Sequence, residues 1–368
     1  MYDYLIVGAG LFGSVFAHIM TEHDKKCLVI DKRPHIGGNC YTENVCGIEV
    51  HKYGAHIFHT SSKIIWDFMN RFAEFAPFIN SPVAINENRA YNMPFNMNTF
   101  SQIFGVITPD EARQIIENDR IHFDCPKNLE EQALDLVGVK IYNTLIKGYT
   151  EKQWGRSCKE LPPSLIANIP LRYEFDNNYF HDRWQGVPIG GYTRIFDQLL
   201  DGSKVCLNTE YDCSMADLAK KVVHTGMIDQ YYDYQYGRLE YRALRWEHSL
   251  LHMSNYQGNA VINYTGSTPD YTRSIEHKFF DKSKITEPFT IVSREFPEEY
   301  DGTNDPFYPI PTESNLALHK RYMELSRDEN IAFKGWCGGY SDDNMSTIII
   351  KAMALADSLL KPKGLTHI

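Results

Sequence analysis

Residues 3–13 read Asp3-Tyr4-Leu5-Ile6-Val7-Gly8-Ala9-Gly10-Leu11-Phe12-Gly13, an apolar run into three glycines spaced G-x-G-x-x-G. The first five residues suit a short buried strand. From Leu11 to His23 the apolar residues Phe12, Val15, Phe16, Ile19 and Met20 recur at helical spacing. Cys27 to Ile30 reads as a second strand, ending at Asp31. Strand, glycine turn, helix, strand and acid in this order make a dinucleotide-binding βαβ unit. Gly8, Gly10 and Gly13 permit the tight turn and the close approach of a pyrophosphate to the helix N-terminus. Asp31 stands where ribose hydroxyls donate. The other reading is a strand-to-helix turn with packing glycines, and the complete order of elements weighs against it. The unit does not by itself choose between FAD and NAD.

The next residues, Lys32 to Asn39 (KRPHIGGN), put a second diglycine just past the acid. A similar acid-then-GG segment lies along the adenosine and pyrophosphate side of FAD in disulfide-reductase-like and amine-oxidase-like flavoproteins. That resemblance implies FAD; a plain surface turn is the alternative. A further glycine loop stands at residues 335–346 (GWCGGYSDDNMS), ahead of an apolar run. A helix is expected from about Ser346 to Leu360, with the backbone amides of residues 343–346 facing the flavin end of the cofactor. The two loop-into-helix devices would then hold opposite ends of one dinucleotide.

At 368 residues the chain is long for one core, and two or three domains are expected. It is 43% apolar and 23% charged, the composition of an ordered globular protein. A formal charge of −10 argues against nucleic acid or an anionic membrane as the main partner. The eight cysteines form no C-x-x-C pair, which fits a reducing cytoplasm and gives no metal-ligand spacing. The apolar N-terminal run lacks a basic flank and carries meaningful glycines, so it reads as core rather than as a signal peptide or membrane span. His56 and His59 stand three apart with no further ligand at suitable spacing. They are core histidines, or Gly54-Ala55-His56 lies against a cofactor ring.

Residues 98–155 are helical in pattern. Pro109 to Arg120 (PDEARQIIENDR) has a proline and acids in its first turn, and residues 129–154 carry apolar residues at helical spacing. Residues 169–192 and 236–308 are rich in turns and β-like runs, AVINYT and EPFTIVSREF among them. Residues 205–208 and 222–226 read as further strands of the nucleotide domain.

YGAHIFHT, EEQAL, KGYTEKQWG, DNNYF, WQGVPIGGYT, YQYGRLEYR and YTRSIEHK occur in this order. In this set the chain resembles the bacterial-type UDP-galactopyranose mutase family along nearly its whole length. The resemblance implies an α/β fold with a discontinuous Rossmann-like FAD-binding domain (1–78, 192–230 and 316–361). It further implies an inserted helical domain with a mobile loop (96–168) and an antiparallel β-sheet domain (79–95, 169–191 and 231–315). The implied reaction interconverts the pyranose and furanose forms of UDP-galactose or a related UDP- or dTDP-sugar. N5 of reduced FAD displaces the nucleoside diphosphate, the sugar ring opens on the covalent adduct, and it recloses without net redox change. An external reductant (NAD(P)H or a reductase), a homodimer, a cytoplasmic location and a role in cell-surface polysaccharide synthesis are implied with it.

Carried over position by position, the cofactor residues are Gly8, Gly10, Phe12, Gly13, Asp31, Lys32, Gly38, Asn39, His56, Ile57, Trp336, Asp343, Asn344, Met345 and Ser346. The substrate residues are Asn80, Tyr149, Thr150, Trp154, Asn168, Arg172, Tyr179, Asn263, Arg273 and Tyr308. The catalytic roles fall to Arg273 as diphosphate clamp, His56 beside the flavin, and Tyr308. Tyr149 and Trp154 resemble residues of the family's mobile loop. No metal is implied.

The chain also departs from the family. The mobile-loop arginine falls on Asn168, with Arg172 four residues on. An arginine becomes Trp336, and a tyrosine and an aspartate fall on Asp342 and Asn344; a slip of one residue would make Asp343 the matching acid. A mutase with an altered pocket, a diverged homologue with weak mutase activity, an FAD-dependent amine-oxidase-like or desaturase-like oxidoreductase and a non-catalytic nucleotide-sugar-binding homologue remain as readings.

Overall fold

The computed structural model describes residues 1–167 and 169–361, so Asn168 lies outside the described residues. The chain divides into two compact units. The first comprises Met1–Pro77, Asp182–Tyr241 and the stretch from Phe307 onward; the second comprises Phe78–His181 and Arg242–Pro306.

Five parallel strands form the spine of the first unit, in the order Lys204–Cys206, Cys27–Ile30, Tyr2–Val7, Ala219–His224 and Ile331–Phe333. Leu5 and Ile6 of the opening strand are fully buried. A parallel sheet is covered on both faces, so its inner strands are apolar runs rather than alternating ones. The glycine turn feeds the helix Leu11–Glu22, and the chain returns at its far end as the helix Met345–Leu360. Phe12, Val15 and Phe16 of the one share a core with Ile348, Ile349 and Ala352 of the other. The strands expected at 205–208 and 222–226 are present but start earlier, at Lys204 and Ala219. The three-residue strand Ile331–Phe333 carries too little pattern to be read from sequence, and its pairing with Ala219–His224 creates it. A small antiparallel sheet, Phe58–Thr60 with Trp184–Pro188 and Phe75–Pro77, completes this unit.

In the second unit the strands run in the order Tyr241–Leu251, Thr290–Glu299, Arg273–Glu276, Val261–Tyr264, Val83–Asn86 and Arg89–Asn92. All pairs are antiparallel except Val261–Tyr264 with Val83–Asn86, which is parallel. The helices of this unit behave as their caps require. Pro109–Asp119 starts at a capping box in which Thr108 and Glu111 satisfy one another's backbone amides. Residues 129–154 do not make one continuous helix. The helix Leu129–Ile141 is broken at Gly138, where φ is 82°, and Asp119 accepts from the Lys140 amide at 2.7 Å. A π-helical turn, Tyr142–Ile146, follows, and then the separate helix Lys147–Trp154. Tyr149, Thr150 and Trp154 therefore lie on a helix, as the apolar spacing of residues 129–154 implied.

Candidate functional site

Each unit carries a cluster of the residues singled out above, and the two are built by different means. In the first unit the cluster is mostly backbone. Gly10 is the N-cap of the helix Leu11–Glu22 and offers no side-chain hydrogen bond to its first turn. A helix N-terminus left in this state has amides directed at whatever anion lies ahead of it. The second diglycine packs directly on the first. The Gly37 amide donates to Ala9 O at 2.9 Å, and a Cβ on Gly38 would come within 2.9 Å of the Gly10 Cα. Gly38 also has φ +54°, so a side chain there is both strained and obstructed. Asp31 is engaged at both oxygens. One accepts from the Ala9 amide at 2.8 Å and the other from the Arg33 amide at 2.9 Å. The acid thus shapes the turn, while the remaining lone pairs of a carboxylate can still accept. Arg33 donates to Asn39 Oδ1 at 3.0 Å, and Lys32 is exposed.

His56 stands on a sheltered backbone. Its amide donates to His51 Nδ1 at 3.1 Å, and Tyr192 Oη donates to its carbonyl at 3.1 Å. Burial, together with the neighbouring His56, pushes the pKa of His51 down to about 3, so this supporting imidazole is neutral. Ile57 is buried beside it. His59, the other histidine of that motif, points elsewhere and pairs with Asp182 at 2.6 Å. Among the described residues no group of three or more His, Cys, Asp or Glu side chains could hold a metal ion.

The late glycine loop is not a copy of the early one. The helix Met345–Leu360 is capped by Asn344, whose side chain accepts from the Thr347 amide at 2.8 Å. Asp343 accepts from Ser341 Oγ at 2.5 Å and pairs with Lys351. Asp342 and Asn344 are exposed. Ser346 Oγ lies 2.9 Å from Thr60 Oγ1, and Met345 packs against the buried thiol of Cys40. Trp336 and Tyr308 come together, with ring centroids 6.2 Å apart. The buried indole nitrogen of Trp336 has no hydrogen-bond partner within the protein. An orphaned donor and, elsewhere in the same unit, an uncapped glycine turn fit a dinucleotide cofactor, which brings many acceptors.

In the second unit the cluster is made of side chains aligned by strand register. Asn263 lies opposite Arg273, and Arg273 lies opposite Glu295, across three adjacent strands. The guanidinium of Arg273 donates from Nε to Asn263 Oδ1 at 3.3 Å and from Nη2 to Tyr149 Oη at 2.9 Å. Glu295, fully buried, faces its Nη1 at 3.4 Å and accepts from Thr272 Oγ1 at 3.0 Å. Glu295 had no signal in the sequence; only the pairing of its strand with that of Arg273 places it. Burial raises the pKa of the Tyr149 phenol, which therefore stays protonated, although the Arg273 charge works the other way. Thr150 is buried on the same helix, and Trp154 packs on the unit's apolar core.

Tyr179 is 42% exposed, and its amide donates to Asn80 O at 2.8 Å. The turn that carries it is held by Arg172. That guanidinium is buried, donates to the carbonyls of Asn178 and Tyr179, and meets His181 Nε2 at 2.9 Å. Arg172, expected at the substrate, sets the Tyr179 turn from beneath.

A family model described as GLF, UDP-galactopyranose mutase, matches residues 144–341, and one described as an NAD(P)-binding Rossmann-like domain matches residues 6–72. A probable UDP-galactopyranose mutase of Klebsiella pneumoniae is 37% identical, over 97% of this chain and 94% of its own. The dTDP-fucopyranose mutase of Escherichia coli is 35% identical, over 98% of this chain and 99% of its own. A crystal structure of reduced UDP-galactopyranose mutase matches with a TM-score of 0.78 at 14% identity, covering 98% of this chain and 96% of its own. At that identity the likeness speaks to the fold alone.

Proposed function

The chain belongs to the UDP-galactopyranose mutase family, and on that premise we propose that it is an isomerase interconverting the pyranose and furanose forms of a nucleotide-activated sugar. The observation that carries the proposal is the row Asn263–Arg273–Glu295 with Tyr149 Oη on the same guanidinium. Such a row suits a diphosphate. Guanidinium binds phosphate oxygens in pairs and stays charged, and a buried carboxylate behind it fixes its plane. Phenol donors at Tyr149 and Tyr179 would add hydrogen bonds without adding charge. As the diphosphate leaves, charge develops on its oxygens, and a preorganised arginine stabilises that charge with little rearrangement.

In the first unit Gly10, Gly38 and the helix Leu11–Glu22 would hold the pyrophosphate of FAD, with Asp31 at the ribose. His56, Tyr308 and Trp336 would line its reactive end. The cofactor, when bound and reduced, would supply the nucleophile. The protein's own part is to hold the sugar, keep the diphosphate in place and exclude water. An external reductant such as NAD(P)H, a homodimeric assembly and a cytoplasmic location belong to the same reading. Among the described residues no helix is long and apolar enough to cross a membrane.

One relative is named for UDP-galactopyranose and another for dTDP-fucopyranose, so base and sugar are the variables to test. The experiment is incubation of the dithionite-reduced, flavin-loaded protein with a panel of UDP-, dTDP- and GDP-sugars. Ring interconversion by NMR without consumption of oxygen or a hydride acceptor is the expected result. Consumption of an electron acceptor would mean an oxidoreductase, and binding without interconversion would mean a non-catalytic homologue.

A further inference from the structure

We propose that Lys152 is a positioning residue for the diphosphate row, fastening the helix that bears Tyr149 to the hairpin that bears Asn263 and Arg273; this rests on the nucleotide-sugar reading above. The Lys152 ammonium donates to three backbone carbonyls, Tyr264 O at 2.8 Å, Pro269 O at 3.0 Å and Tyr271 O at 3.3 Å. An ammonium has three N–H donors and no acceptor, so the match is complete. Tyr264 ends the strand of Asn263, and Pro269 and Tyr271 lie in the turn that leads from it to the strand of Arg273. Tyr264 follows Asn263, and Tyr271 precedes Arg273 by two residues.

The origin of the lysine gives the contact its meaning. Lys152 and Tyr149 are three apart on the helix Lys147–Trp154 and so share a face. From that one face Tyr149 Oη meets Arg273, and Lys152 holds the turn beside it. The helix lies close to this turn along its length: a Cβ on Gly148 would collide with the Thr265 carbonyl oxygen. The helix is held on a further side by the buried Arg242, which donates from Nε to Gln153 O at 3.1 Å. Tyr149 lies more than a hundred residues before Asn263 and Arg273, which are themselves ten apart. Their spacing follows from how the helix seats on the hairpin, and Lys152 is the polar group that sets this seat.

The same unit contains a built-in control. Lys278, fully buried where Lys152 is half-buried, donates to the carbonyls of Ser254 at 2.9 Å, Glu287 at 2.7 Å and Phe289 at 3.2 Å. It staples by the same chemistry the turn between the strands of Arg273 and Glu295, at the end of that pair away from Arg273 and its Tyr149 contact. A lysine that merely stabilises and one that positions the row are thereby separable.

The test compares wild type, Lys152→Met, Lys152→Gln and Lys278→Met by hydrogen–deuterium exchange and by calorimetric titration with UDP and with dTDP. In Lys152→Met, exchange is expected to rise together in peptides covering 147–154 and 264–273. The Kd of the nucleotide, and the KM of any turned-over sugar, should rise about tenfold or more with kcat nearly unchanged. Lys152→Gln, which keeps two donors, should fall between Met and wild type, and it stands in if the Met variant does not fold. Lys278→Met should lower Tm and leave Kd unmoved. Unchanged exchange at 264–273 in the Lys152 variants overturns the proposal. So does an unchanged Kd, or an equal weakening by Lys278→Met. If exchange behaves as expected but wild type binds neither nucleotide, the fastening stands and the nucleotide-sugar reading fails.

Discussion

The candidate sites of the two units are built in opposite ways. The first uses backbone. An uncapped helix N-terminus, two glycine segments in contact and an acid that braces the turn lie within residues 8–39. The second uses side chains drawn from residues 149, 263, 273 and 295, brought into line by strand register. A backbone site is local, and is tolerant of most changes except those that add a side chain where none fits. A register-built site is non-local and depends on the identity of each contributing residue.

Removing one member from each should separate the two designs, and this is the largest effect expected. Gly38→Val puts a β-branched side chain at φ +54° and 2.9 Å from the Gly10 Cα. Flavin content of the purified protein, read by absorbance, should drop by roughly tenfold or more, because strain and collision both oppose the cofactor-bound turn. Arg273→Ala should instead keep its flavin and lose kcat/KM by ~10²–10³-fold, about 3–4 kcal/mol of lost charge stabilisation. Flavin loss in the arginine variant, or near-normal turnover, would break the division of labour.

Acid should weaken the first unit through its buried imidazoles. Burial pushes His51 down to about 3 and His224 to about 4, against an ordinary value of 6.5. Both are neutral when folded, and the unfolded chain takes up their protons first. Their stabilising contribution is complete above pH 6.5, shrinks as the pH falls below it, and is gone at their folded values. Tm should therefore fall steadily from pH 6.5 toward pH 4 by several degrees, and a flat profile over that range would contradict the neutral burial of both rings.

The smallest effect sharpens the contrast between the two glycine loops. Asn344 caps its own helix, so Asn344→Ala should cost about 1 kcal/mol of stability, a loss of ~2–4 °C in Tm. Flavin retention should not change. A marked fall in flavin affinity would show instead that this side chain serves the cofactor, as the resemblance alone implied.

Much of the first unit was legible. The βαβ unit from Asp3 to Asp31 and the closing helix appear where their patterns place them, because glycine spacing and helical periodicity are local properties. Gly138 was not read as a break, since its conformation follows from Asp119 capturing the Lys140 amide. The hydrogen bonds of Arg172 to the Tyr179 turn had no signal in the sequence. Sequence identifies a cation, not the direction in which a buried guanidinium finds its acceptors. Glu295 and Lys152 escaped notice because their partners lie far away along the chain.

The sequence by itself determined the nucleotide-binding turn and the core of the parallel sheet. Both depend on residue types within one short stretch, where steric freedom and apolar periodicity act directly. Only the tertiary structure decided that Asn263, Arg273 and Glu295 form one row and that Tyr149 and Lys152 reach it from one helix face. Strand register and helix seating are set by packing and by polar groups that must find partners once buried, and neither is written in any one segment.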